Sequence, residues 1–493
     1  MKVTEEKKNT GIKRTKDLSD GYVVLGSGLS AVSTIHAIIE QNNILQKKIY
    51  VVDVGLTKDS KSLIFKEDAF KFMPSPKFRI KRNEFVYKYF NSILGIVEKN
   101  FFNIGSFAKG GLSNIWGAGI QPYSEEELKK FPYTYNEIKG FYSKVLKILT
   151  DKDSMSRLYS SEFHSTTNTS SYIHKPLLAI NNVKSKSLSC ELESCDTGCI
   201  NCNKNIFNSA YEIDFLKSKN KIEYLPGLFI QSVYREKEYY YLNCSDITTG
   251  DHVLIKAKIV FSCLGTISTT KIVLGMKNKE KKLPLLTTPG GALFLFSFKR
   301  KSNNSSNILS SQSFSGWFKD SNFNGNIYPI SKNLIEVYFG ISFGKIMNFL
   351  FWRLLFSRLF IANLFFSSNL SSSTVSRNSG KLVISSSISH SLKTTFKASI
   401  KTISSLLLKE KFIILPFGRR LLAPGQDIHY GGTLPMKKEP KEYECNLKGE
   451  LEGFKNFFIT DSSSLPYLPG KGQSFNSMVN SFYITTKAIK NEQ

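Results

Sequence analysis

The chain is poor in most of the residues that would assign it to a class at a glance. Its 493 residues include seven cysteines, an odd number that gives no support to a disulfide framework. There are six histidines, so few side chains are available for acid–base work near neutrality. No internal repeat is present, no stretch of 18 uncharged apolar residues would span a membrane, and no nucleic-acid-binding module is recognisable. Acidic residues are scarce: 40 Asp and Glu against 67 Lys and Arg, a formal charge of +27. That excess has two readings: an anionic partner such as a membrane surface or phosphorylated substrate, or a lysine-rich composition without special meaning. Residues 1–20 are polar and carry no apolar core. They are expected to be a disordered tail rather than a signal peptide, and the protein to be cytoplasmic.

What is present is organised around Gly21-Tyr22-Val23-Val24-Leu25-Gly26-Ser27-Gly28-Leu29-Ser30-Ala31. A run of β-formers ends on Gly26, Gly-x-Gly-x-x-Ala follows, and the next residues up to Ile39 read as a helix. This strand–turn–helix suits a dinucleotide pyrophosphate. Gly26 makes the tight turn, Gly28 admits the phosphates, Ala31 allows close helix packing, and the helix N-terminus presents unpaired N–H groups, with Ser27 and Ser30 beside it. Asp53 ends the next strand, Ile49-Tyr50-Val51-Val52, where an acid can accept hydrogen bonds from a ribose.

Farther along, Gly110-Gly111-Leu112-Ser113-Asn114-Ile115-Trp116 reads as a loop pressed against something flat or charged, or simply as a glycine-rich turn. Residues 124–150 read as a helix capped by Ser124, and 151–189 as loop. Residues 222–264 alternate as strands do, and the turn at Gly265 leads into another helix. Short β-like runs within 290–420 (292–298, 334–343, 381–385) point to an antiparallel sheet. The aromatic run 346–366 interrupts them. Arg353 and Arg358 would each cost about 2.5–3.5 kcal/mol in a spanning helix, so it reads as a buried helical hairpin or as a peripheral dock at the inner face of the membrane. Cys190, Cys195, Cys199 and Cys202 lie close enough to ligate zinc or an iron–sulfur centre, but their spacing matches neither a ferredoxin run nor a zinc ribbon. Free thiols, and no metal, are the expectation.

The C-terminal third adds His429-Tyr430-Gly431-Gly432-Thr433-Leu434-Pro435-Met436, then Ile459-Thr460-Asp461-Ser462-Ser463, then Asn476-Ser477-Met478. Together with the three glycine turns, and in the same order, these segments resemble the glucose–methanol–choline flavoprotein oxidoreductases, in a bacterial branch with a pyranose-oxidase-like Gly-Gly-x-Ser-x-x-Trp loop. The resemblance covers about 20–125, 222–275 and 425–490. It implies an α/β fold with a Rossmann-type FAD-binding domain split along the chain (21–125, 221–289 and 425–493). A substrate domain on an antiparallel sheet (290–424) and a segment holding the cysteines (126–220) complete it.

The resemblance further implies FAD against Gly26, Ser27, Gly28, Ser30, Ala31 and Asp53. The flavin would lie along Gly110, Gly111, Ser113 and Asn114, with the strand near Val233 at the adenine and Asp461 beside the pyrophosphate and ribityl chain; Trp116 and Gly265 would also belong to the cofactor site. Ile115 stands where some members attach flavin through histidine, so the FAD is expected to be non-covalent. His429 and Asn476 match the pair that faces the flavin. A neutral imidazole, with an ordinary pKa of about 6.5, can take the hydroxyl proton while a hydride leaves carbon. Asn476 would fix the alcohol oxygen.

The function implied is oxidation of an alcohol or sugar hydroxyl, by a dehydrogenase rather than an oxidase, in polysaccharide or glycolipid biosynthesis. The substrate would be a small or lipid-linked alcohol or sugar, and quinone, O2 or a protein stays open as the electron acceptor. The alternative is a non-catalytic flavin-stabilised scaffold or basic membrane-binding protein on the same fold.

Overall fold

A computed structural model describes residues 13–42, 46–57, 60, 62, 90–150, 172–174, 177–179, 206–299, 312–318, 321–329 and 358–490. The cysteine cluster and the run 334–343 lie outside these residues.

One part of the fold, drawn from both ends of the chain, is built on a five-stranded parallel sheet. Its strands are β1 (Tyr22–Leu25), β2 (Ile49–Val52), β3 (Glu223–Leu225), β4 (Ile259–Ser262) and β5 (Phe457–Ile459), in the order β5-β4-β1-β2-β3. Helix α1 (Leu29–Gln41) follows β1, and α2 (Thr266–Lys277) follows β4. Strands β1, β2 and β4 are buried along their whole length, which explains their continuous apolar runs. The direction of winding reverses between β1 and β4, and at such a switch point the strand ends leave a crevice. Helix α3 (Ser474–Lys490) is buried on nearly every side. It packs on α1 and on the helix Tyr135–Leu149 in one cluster that includes Ala31, Val32, Ile35, Met478 and Phe482.

The single helix expected over 124–150 is two helices, Glu125–Leu128 and Tyr135–Leu149. Pro132 falls between them, and Thr134 and Glu137 form a reciprocal cap on the second, so a new helix starts where the proline ends the first. The N-terminal tail is partly ordered: Arg14–Asp17 pairs in parallel with His252–Ala257 at the edge of a four-stranded sheet.

The other part centres on a six-stranded antiparallel sheet with the order 412–421, 290–297, 359–366, 321–329, 312–318, 172–174. The helix His390–Lys409 covers one face, where Leu392, Phe396, Ile400 and Ile403 meet Leu293, Phe323, Phe360, Ala362, Leu364 and Phe366. The period-2 alternation of strands sends Ile361, Asn363 and Phe365, and from the neighbouring strand Asn326 and Tyr328, to the opposite face.

The helical reading of 346–366 is thereby corrected for its second half. Leu359–Phe366 is a strand hydrogen-bonded on both sides, because ladder pairing outweighs local helical preference. Phe349, Trp352 and Phe356 lie outside the described residues. Phe360 is core, 6% exposed, with its ring edge-on to Phe412 at 5.2 Å between centroids, so it is not available to a lipid surface. Among the described residues no helix is long and apolar enough to cross a membrane. Phe360→Ser is therefore expected to destabilise the fold by about 3–5 kcal/mol, read as a lowered urea midpoint. An unchanged midpoint would contradict its placement in the core.

Candidate active site

At the switch point the ends of β1 and β4 open into a cavity of about 500 Å³. Its first wall is the Gly-x-Gly turn. Gly26 has φ +95°, and a Cβ there would stand 2.8 Å from the Cys263 carbonyl oxygen, so glycine is required by the fold itself. Gly28 differs. Its backbone is ordinary for any residue, and a Cβ would meet no protein atom within 4 Å. It borders the cavity at the N-terminus of α1, so the space in front of it belongs to whatever fills the cavity. Ala31 is fully buried against α3.

Ser27 ties three parts of the site together. Its hydroxyl donates to Asp53 Oδ2 and accepts from the Gly110 N–H at 2.9 Å. Tyr224 donates to the same Asp53 oxygen at 3.0 Å. Burial pushes the Asp53 carboxyl up to about 6 against the pull of these donors. The loop after Gly110 makes one 3-10 turn, Gly111–Asn114. Gly110 has φ +83°, and a Cβ there would crowd the Ala210 nitrogen at 2.7 Å. Gly111, Ser113, Ile115 and Trp116 border the cavity. Gly110 and Asn114 are not among its described lining. Asn114 instead spans the Lys109 and Gly111 carbonyls and accepts from Asn208, which makes it a brace for the loop.

On the opposite wall, Asp461 is buried and saturated. It accepts from the Gly265 N–H at 2.9 Å, from the Thr269 hydroxyl, and from the N–H and hydroxyl of Ser463. It touches the cavity edge beside Gly265. The hydroxyls of Ser30, Ser477 and Ser462 form a chain along the cavity with steps of 3.1 and 3.0 Å. Ser462 and Ser477 were not legible as site residues, because lone serines carry no pattern. Val233 is core, 3% exposed, and does not border the cavity. The residues of its strand that do are Leu228, Phe229 and Ile230, five to three residues upstream, where the strand crosses the mouth of the sheet.

The third wall carries the acid–base groups. His429 borders the cavity, packs its ring 4.9 Å from that of Phe365, and places Nδ1 2.6 Å from Thr288 Oγ1. Asp427 Oδ2 accepts from the Thr288 N–H at 2.7 Å and lies 3.4 Å from its hydroxyl. Between Asp427 and His429, Ile428 sits at φ +61°, a conformation that a β-branched residue adopts only under constraint. Asn476 does not reach the cavity. Its Oδ1 accepts from the Tyr123 N–H at 3.0 Å and Tyr142 hydroxyl at 3.3 Å, and its Nδ2 donates to the Gln121 carbonyl at 2.7 Å. Close by in sequence, Gln473 does border it, and its Nε2 donates to the Tyr430 carbonyl at 2.9 Å. Gln473 Oε1 and, on the sheet face, Asn363 Oδ1 are buried without a partner among the described residues. Such orphaned acceptors are costly unless a ligand donates to them.

No protein-family model matches the chain, and no curated protein does. Among solved structures, the chain is similar to pyridoxine 4-oxidase from Mesorbium loti, with a TM-score of 0.59 at 10% identity, over 95% of this chain and 98% of that one. The likeness at this identity is one of fold, and it agrees in general form with the glucose–methanol–choline architecture that the motifs imply.

The raised Asp53 gives a pH test on flavin-free protein. Between the ordinary carboxylate pKa of about 4 and the folded value of about 6, the native state holds a proton that the unfolded chain has lost. Stability therefore falls as pH rises through that window, by about 2–3 kcal/mol from this group alone. Asp53→Asn should flatten the difference in urea midpoint between pH 4 and pH 7. An equal slope in wild type and variant would contradict the burial of an ionisable Asp53.

Proposed function

We propose that the protein is an FAD-dependent oxidoreductase that converts an alcohol, of sugar or sugar-like class, to a carbonyl compound. The observation that carries this reading is that His429 and Gln473, linked through the Tyr430 carbonyl, open onto the same cavity as the Gly26–Gly28 turn. The open space before Gly28, the α1 N-terminus and the ribose-accepting position of Asp53 fit a dinucleotide, and Gly111, Ser113 and Trp116 offer a wall for its flavin. Bound there, FAD would supply the hydride acceptor.

The chain's own residues do the rest. His429 takes the hydroxyl proton, and the side chains around it hold the alcohol in place. Gln473 occupies the role first expected of Asn476, and its unpartnered Oε1 accepts from a substrate hydroxyl. Asn363 offers a second acceptor on the sheet face, which favours a substrate with more than one donor. By its name, pyridoxine 4-oxidase acts on pyridoxine, itself an alcohol, and pyridoxine belongs in a first panel with sugars and simple alcohols. Ile115 at the flavin loop supports non-covalent attachment.

The purified protein should carry FAD that acid precipitation releases; flavin that stays with the precipitate would overturn the non-covalent assignment. With an active alcohol from the panel, His429→Ala should slow flavin reduction about a hundredfold at unchanged flavin content. Gln473→Ala should slow it about tenfold. Asn476→Ala should act on stability instead, by about 1–3 kcal/mol, because it strips the Tyr142 hydroxyl of its acceptor and the Gln121 carbonyl of its donor. Stopped-flow reduction and thermal melts separate these effects. An unimpaired His429→Ala would remove the proposed base.

A further inference from the structure

We propose that the protein docks on an anionic lipid surface through the outer edge of the six-stranded sheet, where Phe298, Leu408, Ile413 and Phe417 stand exposed among basic side chains. None of the four borders the cavity, and the inference does not rest on the functional reading.

The apolar part comes first. The strand 412–421 ends the sheet and pairs on one side only, with 290–297. At its start the Phe298 N–H donates to the Lys411 carbonyl at 2.9 Å, and the Lys411 N–H to the Leu408 carbonyl at 3.0 Å. Ile413 is paired with Phe296, whose ring meets that of Phe298 edge-on at 5.9 Å between centroids. Three apolar side chains are thus gathered at one rim, with Phe298 53%, Leu408 54% and Ile413 37% exposed. Farther along the strand the pairing is interrupted: Ile414 faces Leu295 and Arg419 faces Leu293, so residues 415–418 bulge from the edge. Phe417 in this bulge is 73% exposed. A bulge with a proline is enough to protect a sheet edge, and Pro416 already supplies one, so the aromatic ring beside it adds only apolar surface. Single exposed apolar residues need no explanation, but four along one edge mark a contact surface.

The charge around them says what covers that surface. From Arg358 to Leu421 the chain holds ten Lys and Arg and one acid, Glu410. None of the ten is in a salt bridge among the described residues. Arg358 is fixed at the rim, where it donates to the Phe298 carbonyl at 2.7 Å. Lys409 and Lys411 flank Glu410, and Arg419 and Arg420 follow Phe417. The helix His390–Lys409 sets Lys393, Lys397 and Lys401 four residues apart, all exposed, and the same spacing leads on through Ser405 to Lys409. Like charges at this spacing repel and weaken a helix, whereas a solvated helix face ordinarily mixes signs. An anionic surface relieves the repulsion. The mixture of side chains selects a bilayer: Phe, Leu and Ile enter the boundary between headgroups and acyl chains while Lys and Arg reach the lipid phosphates. A nucleic acid would use the charge but has no place for Leu408 and Ile413, and a second copy of this chain would bring two basic edges together.

The test is sedimentation of the purified, flavin-bearing protein with vesicles of phosphatidylcholine mixed with phosphatidylglycerol, and with vesicles of phosphatidylcholine alone. The expected result is binding to the anionic vesicles, at least about tenfold tighter than to the neutral ones, and only partly released by high salt, because salt screens the charges and leaves the apolar contact. Phe298→Ser, Leu408→Ser and Phe417→Ser combined should weaken that binding at least about tenfold, with the flavin spectrum and melting point showing that the variant is folded. Lys411→Glu, Arg419→Glu and Arg420→Glu combined should weaken it as much, and decides the matter if the apolar variant does not fold. Wild type that stays in solution beside anionic vesicles would overturn the proposal, as would a folded apolar variant that sediments like wild type. A wild-type dimer that Phe417→Ser dissociates, without vesicle binding, would assign the edge to a second copy instead. No substrate is needed, so a protein that oxidises no alcohol would overturn the functional reading and leave the docking surface standing.

Discussion

The structure depends on the buried carboxylate of Asp461. A carboxylate removed from water is costly unless donors surround it. Here the Gly265 N–H, the Thr269 hydroxyl and both donors of Ser463 do so. Burial still raises its pKa. These bonds lock the end of β5 to the turn that opens α2, although some 190 residues of chain lie between them. Once that joint is made, the parallel sheet has its fifth strand. Helix α3 is then set against α1, and the segment bearing His429 is carried to the mouth of the sheet.

Two buried carboxylates thus play unlike parts. Asp461 is saturated and structural, though it touches the cavity edge. Asp53 is held by Ser27 and Tyr224, both through Oδ2, at the end of β2 beside the cavity. Burial raises the Asp53 carboxyl above its ordinary pKa, and the Ser27 hydroxyl joins the glycine loop, the first turn and the acid. A change in any one of them is felt at the other two, because the Ser27 hydroxyl is the shared atom.

The six-stranded sheet divides its side chains by alternation. One face of the six-stranded sheet is given to Phe, Leu and Ile under the helix His390–Lys409, and the other carries amides and aromatic rings to the cavity. Thr288 enters from the approach to the strand Gly290–Ser297, and Asp427 and His429 from the segment after 412–421, so that His429 is gripped where two parts of the chain meet. The strain at Ile428 is the local consequence of bringing Asp427 and His429 to one threonine.

What the sequence determined by itself is what is local: β1, the Gly-x-Gly turn and α1, with Asp53 one strand later, since glycine conformations and short-range periodicity need no partner to be read. The location of His429 at the site was legible for the same reason, being embedded in a dense motif. What only the tertiary structure decided is which neighbour of a motif faces the cavity. Asn476 and Gln473 lie three residues apart. The start of α3 at Ser474 turns Asn476 to Tyr123 and Tyr142 and leaves Gln473 on the cavity, a choice made by packing against the helix Tyr135–Leu149. Likewise Val233 and Ile230 share a strand, and only the strand's crossing point selects Ile230. The stretch 359–366 is apolar enough for helix or strand, and ladder bonds from both sides make it a strand. Thr288 and Asp427 were invisible beforehand because a hydrogen bond across 139 residues leaves no spacing to recognise; it exists only after two distant segments have been folded onto the same wall.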